Sequence, residues 1–83
     1  MIQVLFSVYD SKSLTYCPPF LSTNAQTAKR DFSIAVIDPT SAISKAPEDY
    51  TLYDIGTFDS DSGLVNPASP PVYICSALQF KEH

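Results

Sequence analysis

Carboxylates are the most chemically suggestive residues in this 83-residue chain, and several fall in one stretch, Pro47–Pro67 (PEDYTLYDIGTFDSDSGLVNP). Asp59, Asp61 and Gly63 resemble the opening of a calcium loop. Such a loop needs its glycine at the sixth position and a bidentate acid at the twelfth. Counted from Asp59, the glycine comes one step early and the twelfth position is Pro70. The segment therefore reads as a solvated turn whose aspartates accept local backbone amides, with no metal. Glu48, Asp49 and Asp54 offer carboxylates for acid–base work, but no nucleophile motif lies beside them. His83 sits at the C-terminus, a poor place for a preorganised base. Ser, His and Asp all occur without a local triad signature. Two glycines cannot build a phosphate-cradling loop. The expectation is a protein without catalysis and without a cofactor.

The remaining reactive side chains point the same way. Cys17 and Cys75 form no CxxC pair, and one histidine cannot complete a zinc set with them. They read as half-buried free thiols in a reducing compartment. The net charge is -4, with nine acidic residues against five basic ones. That balance disfavours a protein whose main task is to neutralise phosphates. Lys29 and Arg30 are adjacent, and with Lys12 or Lys45 they can form a small anion-binding patch, the candidate nucleic-acid contact. Asp31 next to them dilutes its charge. Tyr9, Tyr53 and Tyr73 can stack on unpaired bases. By residue type they serve equally well in a core edge or a dimer contact, and that use is expected first.

These residues need elements to position them. Ile2–Tyr9 alternates, with Ile2, Val4, Phe6 and Val8 on one side, which predicts a strand. Asp10–Ser13 reads as a polar turn and Leu14–Cys17 as its return strand. Pro18 and Pro19 stop the ladder, and Phe20 and Leu21 are expected to tuck under as an apolar plug. Asn24 and its neighbours offer N-caps for a helix over Ala25–Ile37. Ala25, Ala28, Phe32, Ala35 and Val36 form its apolar stripe, Ile34 and Ile37 widen it, and Lys29 and Arg30 face away. Asp38-Pro39 ends it. Ser41–Lys45 has room for one more helical turn. Tyr50–Phe58 predicts the second main strand, with Tyr50, Leu52 and Phe58 on one face and Tyr53 and Ile55 on the other. Gly56 marks a bulge or close approach. Asp59–Gly63 closes a hairpin, with Gly63 suited to a left-handed conformation. Leu64–Asn66 begins a return and the prolines at 67, 70 and 71 make a stiff crossing. Val72–Gln79 reads as the last strand, with Val72, Ile74 and Leu78 opposite Tyr73, Cys75 and Ala77. Lys81-Glu82-His83 is expected to fray.

The simplest packing is a single α+β domain over residues 1–83: a small antiparallel sheet of about four to five strands with one helix on one face. The other face then stays bare. Leu5, Tyr9, Tyr53, Ile55 and Tyr73 are its expected residues and the candidate interface. No apolar run approaches the roughly 20 residues needed to cross a bilayer, and MIQVLFSVYD lacks the basic start of a signal peptide. A soluble, intracellular protein without a membrane partner is expected.

Several stretches together resemble the small nonstructural protein of gokushovirus-type microviruses, single-stranded DNA phages. They are the strand ending Val8-Tyr9-Asp10, Pro19-Phe20, Asn24 with the Ala28–Phe32 segment AKRDF, Asp38-Pro39, PEDYTLYDIGTFDSDSG from Pro47, and Ser69–Pro71. The resemblance implies a nonenzymatic accessory factor in viral DNA replication or single-stranded genome synthesis and packaging, in the host bacterial cytoplasm. It implies phage replication or procapsid proteins as partners, and weak single-stranded DNA contact as one route of action. A homodimer through the open sheet face fits this role. The alternative is a protein-interaction module, a capsid-assembly chaperone or host-interaction factor, with no direct DNA contact.

Overall fold

The alternation at the N-terminus builds the central strand of the fold. In a computed structural model, which describes residues 1–81, β1 spans Ile2–Asp10. One edge of β1 is shared by two short antiparallel strands, β2 (Thr15–Tyr16) and β3 (Phe20–Ser22). Pro18 and Pro19 interrupt that edge because neither can donate to the ladder. The other edge pairs with β4 (Tyr50–Asp59), and β4 pairs with β5 (Val65–Ser76). The five strands form one antiparallel sheet in the order β2-β1-β4-β5, with β3 beside β1. With its helices this is an α+β fold, as the residue pattern predicts.

Helix α1 spans Ala25–Ile37. The Asn24 side chain caps it, accepting from the Thr27 amide at 2.9 Å. The stripe at Ala28, Phe32 and Val36 is buried against Phe6, Val8, Leu52, Cys75 and Ala77. This apolar contact is the core. Ile34 and Ile37, expected to widen it, instead face solvent, because the helix meets the sheet along one narrow stripe. A short α2 (Ala42–Lys45), capped by Ser41, follows as expected, and then a single 3-10 turn at Pro47–Asp49.

Four local readings change in the folded chain. Phe20 and Leu21 pair with Phe6 and Leu5 as β3; Phe20 tucks against the core as expected, whereas Leu21 lies on the other face and is exposed. The first turn spans residues 11–14, one step later than the expected Asp10–Ser13. Leu14 takes a left-handed φ of 60° within it, and Tyr16 faces Tyr9. Leu64–Asn66 and Val72–Gln79 are parts of one strand, because a break over residues 68–71 interrupts pairing with β4 without ending it. Finally, the chain beyond Ser76 turns into α3 (Leu78–Lys81) rather than continuing as strand. Lys81 is therefore helical, and Phe80 lies edge-on to Phe32 with ring centroids 6.2 Å apart. Glu82 and His83, expected to fray, lie outside the described residues.

Irregular pairing also moves side chains between faces. Ile55 is skipped in both of β4's ladders, so Gly56 pairs with Leu5 and Pro67, and Phe58 with Gln3 and Val65. Phe58 thus shares the face of Tyr53, not that of Leu52 as strict alternation suggests. On β5 the shift between Leu52 and Tyr53 skips Ile74. Cys75 then falls on the core face and Tyr73 on the opposite one. The expected grouping of Tyr73 with Cys75 and Ala77 fails for this reason.

Candidate interaction face

Partners in a ladder share a face, so the register assigns the sheet's uncovered side. It carries Gln3, Leu5, Ser7 and Tyr9 of β1, Thr51, Tyr53 and Phe58 of β4, Tyr16 of β2, Leu21 of β3, and Val65, Pro67, Tyr73 and Ser76 of β5. No Asp, Glu, Lys or Arg is among them. Four tyrosines run across it in the order Tyr16, Tyr9, Tyr53, Tyr73, with successive ring centroids 4.8, 6.3 and 6.2 Å apart. The rings are tilted or edge-to-face, the geometry that aromatic quadrupoles favour. Tyr9 and Tyr53 are half-buried in the row, while its ends, Tyr16 and Tyr73, are 46% and 56% exposed. Beneath the same side, Ser7 is buried and donates through Oγ to the Cys17 carbonyl at 2.7 Å. That bond holds the proline-interrupted edge close to β1.

The structure thus brings together Leu5, Tyr9, Tyr53 and Tyr73 of the candidate interface. Ile55 is the extra residue at the bulge and joins no ladder pair. Tyr16 and Phe58 join the face unannounced. Each needed a register that residue types do not reveal: the later closing point of the first turn for Tyr16 and the bulge for Phe58.

The candidate nucleic-acid residues lie elsewhere. Lys29 and Arg30 sit on α1, across the sheet from the tyrosines. Arg30 is exposed, whereas Lys29 is half-buried rather than facing fully outward as its helical position suggests. Lys45 ends α2 in the same helical layer, and Lys12 lies in the β1–β2 turn. Lys29, Arg30 and Lys45 of one protomer therefore lie apart from its aromatic row, while Lys12 sits in the turn that follows the Tyr9–Tyr16 pair. On the helical side a shallow groove of about 220 Å³ is lined by Val8, Phe20, Asp31, Phe32, Ala35 and Ile43. Asp31 is its one acid–base group, too little for a catalytic pair.

The acidic residues are used locally. The Asp59 carboxylate accepts the Asp61 amide at 2.9 Å, and that bond chiefly holds its pKa below the ordinary value. Asp54 accepts the Gly56 amide at 3.0 Å and so braces the bulge. Asp38 accepts from the backbone and hydroxyl of Thr40, which lowers its pKa. Among the described residues no three His, Cys, Asp or Glu side chains converge as metal ligands. No described helix is long and apolar enough to cross a membrane.

Both cysteines are free, Cys17 half-buried and Cys75 fully buried. Burial pushes the Cys75 thiol above its ordinary value of 9.0, and nearby Lys29 opposes this. Burial also raises Tyr50, on the core face, above 10.0, and Asp10 adds to the shift. A raised pKa means that the fold favours the protonated form. The stability this contributes is complete below the ordinary value and is lost as pH rises through the folded one. Urea midpoints are accordingly expected to hold through pH 8 and to fall above about pH 9. A midpoint unchanged to pH 11 would contradict the burial of Cys75 and Tyr50. In native protein, Cys17 should react with a thiol reagent well before Cys75.

Searches of curated proteins and of solved structures returned no match. The profile of the phage ORF5 protein family matches residues 3–80, from the second residue of β1 to the phenylalanine that closes over Phe32. That span takes in every strand pairing of the tyrosine face, and the chain belongs to the phage ORF5 protein family.

Proposed function

We propose that this phage protein is the small nonstructural protein of a gokushovirus-type microvirus. In this reading it is a nonenzymatic accessory factor in viral DNA replication or single-stranded genome synthesis and packaging. It works in the host bacterial cytoplasm, by binding rather than by chemistry. The observation that carries the binding reading is the uncharged, tyrosine-paved side of the sheet. A face without a single Lys or Arg suits protein contact better than a polyanion. The -4 net charge agrees.

The test is affinity capture of the tagged protein from infected cells. Phage replication or procapsid proteins are expected in the captured material. Capture of neither these nor viral DNA sinks the proposal. A second reading, weak direct contact with single-stranded DNA, draws on the exposed Arg30 beside Lys29. It expects oligothymidylate binding that weakens steeply with salt and weakens again in the Lys29→Glu, Arg30→Glu double variant. No binding even at low salt removes that reading.

A further inference from the structure

We propose that the tyrosine face is covered by a second copy of this chain, giving a face-to-face homodimer with the helical layers outside. This rests on the reading above that the face is a contact surface, and it names the partner.

Charge supplies the first argument. In a two-fold contact each patch meets itself, so any unbalanced charge near the axis meets its own sign. Among the described residues the face carries no Asp, Glu, Lys or Arg, although the chain has nine acids and five bases to distribute. It can therefore oppose a copy of itself without repulsion. It offers a nucleic-acid backbone no cation.

Area supplies the second. β1, β4 and β5, of 9, 10 and 12 residues, with the short β2 and β3 beside β1, present roughly 600 Å² of projected face at normal strand spacing. Side-chain relief raises the contact toward the ~800 Å² per partner of a standard interface. A second copy would also complete a deficient packing. The Cα radius of gyration is 13.0 Å, against about 12 Å expected for a packed domain of this length. Among the described residues, helices line the sheet on one side only. Two such sheets packed at ~10 Å spacing make a four-layer particle with an aromatic centre.

The free edge supplies the third. β5 is the outer strand beyond β4, and Pro67, Pro70 and Pro71 lie along it. Prolines on an edge withhold the amides that another strand would need. Association by extending the sheet is thereby blocked over that stretch, and association by the face remains. The resulting dimer would place the two Lys29–Arg30 pairs, and the exposed Ile34 and Ile37, on opposite outer surfaces.

The test is sedimentation velocity of the full chain across a concentration series, with the Tyr73→Glu and Tyr16→Glu variants. Both tyrosines are exposed at the row's ends, so the fold should survive, checked by far-ultraviolet circular dichroism. Twice the 9.1 kDa chain mass is expected for wild type, with dissociation raised about 30-fold or more by Tyr73→Glu. Oligothymidylate should leave the dimer intact. A wild-type protein that stays monomeric at millimolar concentration overturns the proposal. So does a dimer indifferent to both variants, or one that oligothymidylate dissociates. Capture of phage proteins by a strictly monomeric wild type would overturn the homodimer while leaving the accessory-factor reading standing. A dimer that captures nothing would do the reverse.

Discussion

Phe32→Ala is expected to cost about 3–5 kcal/mol. Phe32 is the middle of the three buried residues by which α1 meets the sheet, and it also takes the edge of Phe80 from α3. Its removal opens a cavity that Ala28 and Val36 cannot fill, since the strand backbone and α1 are fixed by their own hydrogen bonds. It also loosens α3, which is a single turn and needs that contact to persist. A domain of this size has a total stability of about 4–12 kcal/mol. The variant should therefore lose about a quarter or more of it, read as a lower urea midpoint at unchanged slope. Ile34→Ala, two residues along the same helix but exposed, is the control and should move stability by no more than about 0.5 kcal/mol. Equal losses at the two positions would mean that α1 packs by a different stripe.

Gly56→Ala is expected to destabilise by about 3 kcal/mol or more, although it adds one methyl group. Gly56 has φ of 147°, where side chains are strained. A Cβ there would also collide with the Asn66 carbonyl oxygen and stand 3.0 Å from the Pro67 Cα. Both obstacles are backbone of the adjacent strand, so neither can swing aside. Relief would require separating β4 from β5 at the bulge, and Phe58 and Val65 would then leave the tyrosine face. Gly63 is the comparison: its φ is 77°, but nothing lies within 4 Å of an added Cβ. Gly63→Ala should cost about 1–2 kcal/mol, the left-handed penalty alone. The difference between the two glycines, measured by chemical denaturation, isolates the close approach of the strands. A Gly56→Ala protein as stable as Gly63→Ala would argue against the pairing of Gly56 with Pro67.

The bulge links these stability effects to the candidate interface. Asp54 holds it through the Gly56 amide, Ile55 is displaced from both ladders, and every residue beyond it changes side. Without it, Phe58 would join Leu52 toward the helix. The aromatic face would be shorter and the core end more crowded.

Much of this was written into the residues themselves. Alternation in Ile2–Tyr9, the Asn24 cap, the Ala28–Phe32–Val36 stripe, the stop at Asp38-Pro39 and the turn at Asp59–Gly63 are local signals, and local backbone physics acts on them directly. So is the exclusion of a calcium loop, which follows from counting. The tyrosines' presence on a bare face was legible at Tyr9 and Tyr53, where simple alternation held, and Tyr73 was expected there too, though grouped with Cys75 and Ala77. What the sequence could not settle is register. Whether Tyr16 meets Tyr9 depends on where the first turn closes, and whether Cys75 lies beside Leu52 or beside Tyr73 and which way Phe58 points each depend on a single skipped residue. Those skips are set by the fit between strands distant in the chain: the Gly56–Asn66 approach and the break over residues 68–71. The separation of Lys29 and Arg30 from the aromatic row is likewise a tertiary fact. Residue types allowed cations and rings to share a surface; the helix crossing the opposite side of the sheet keeps them apart.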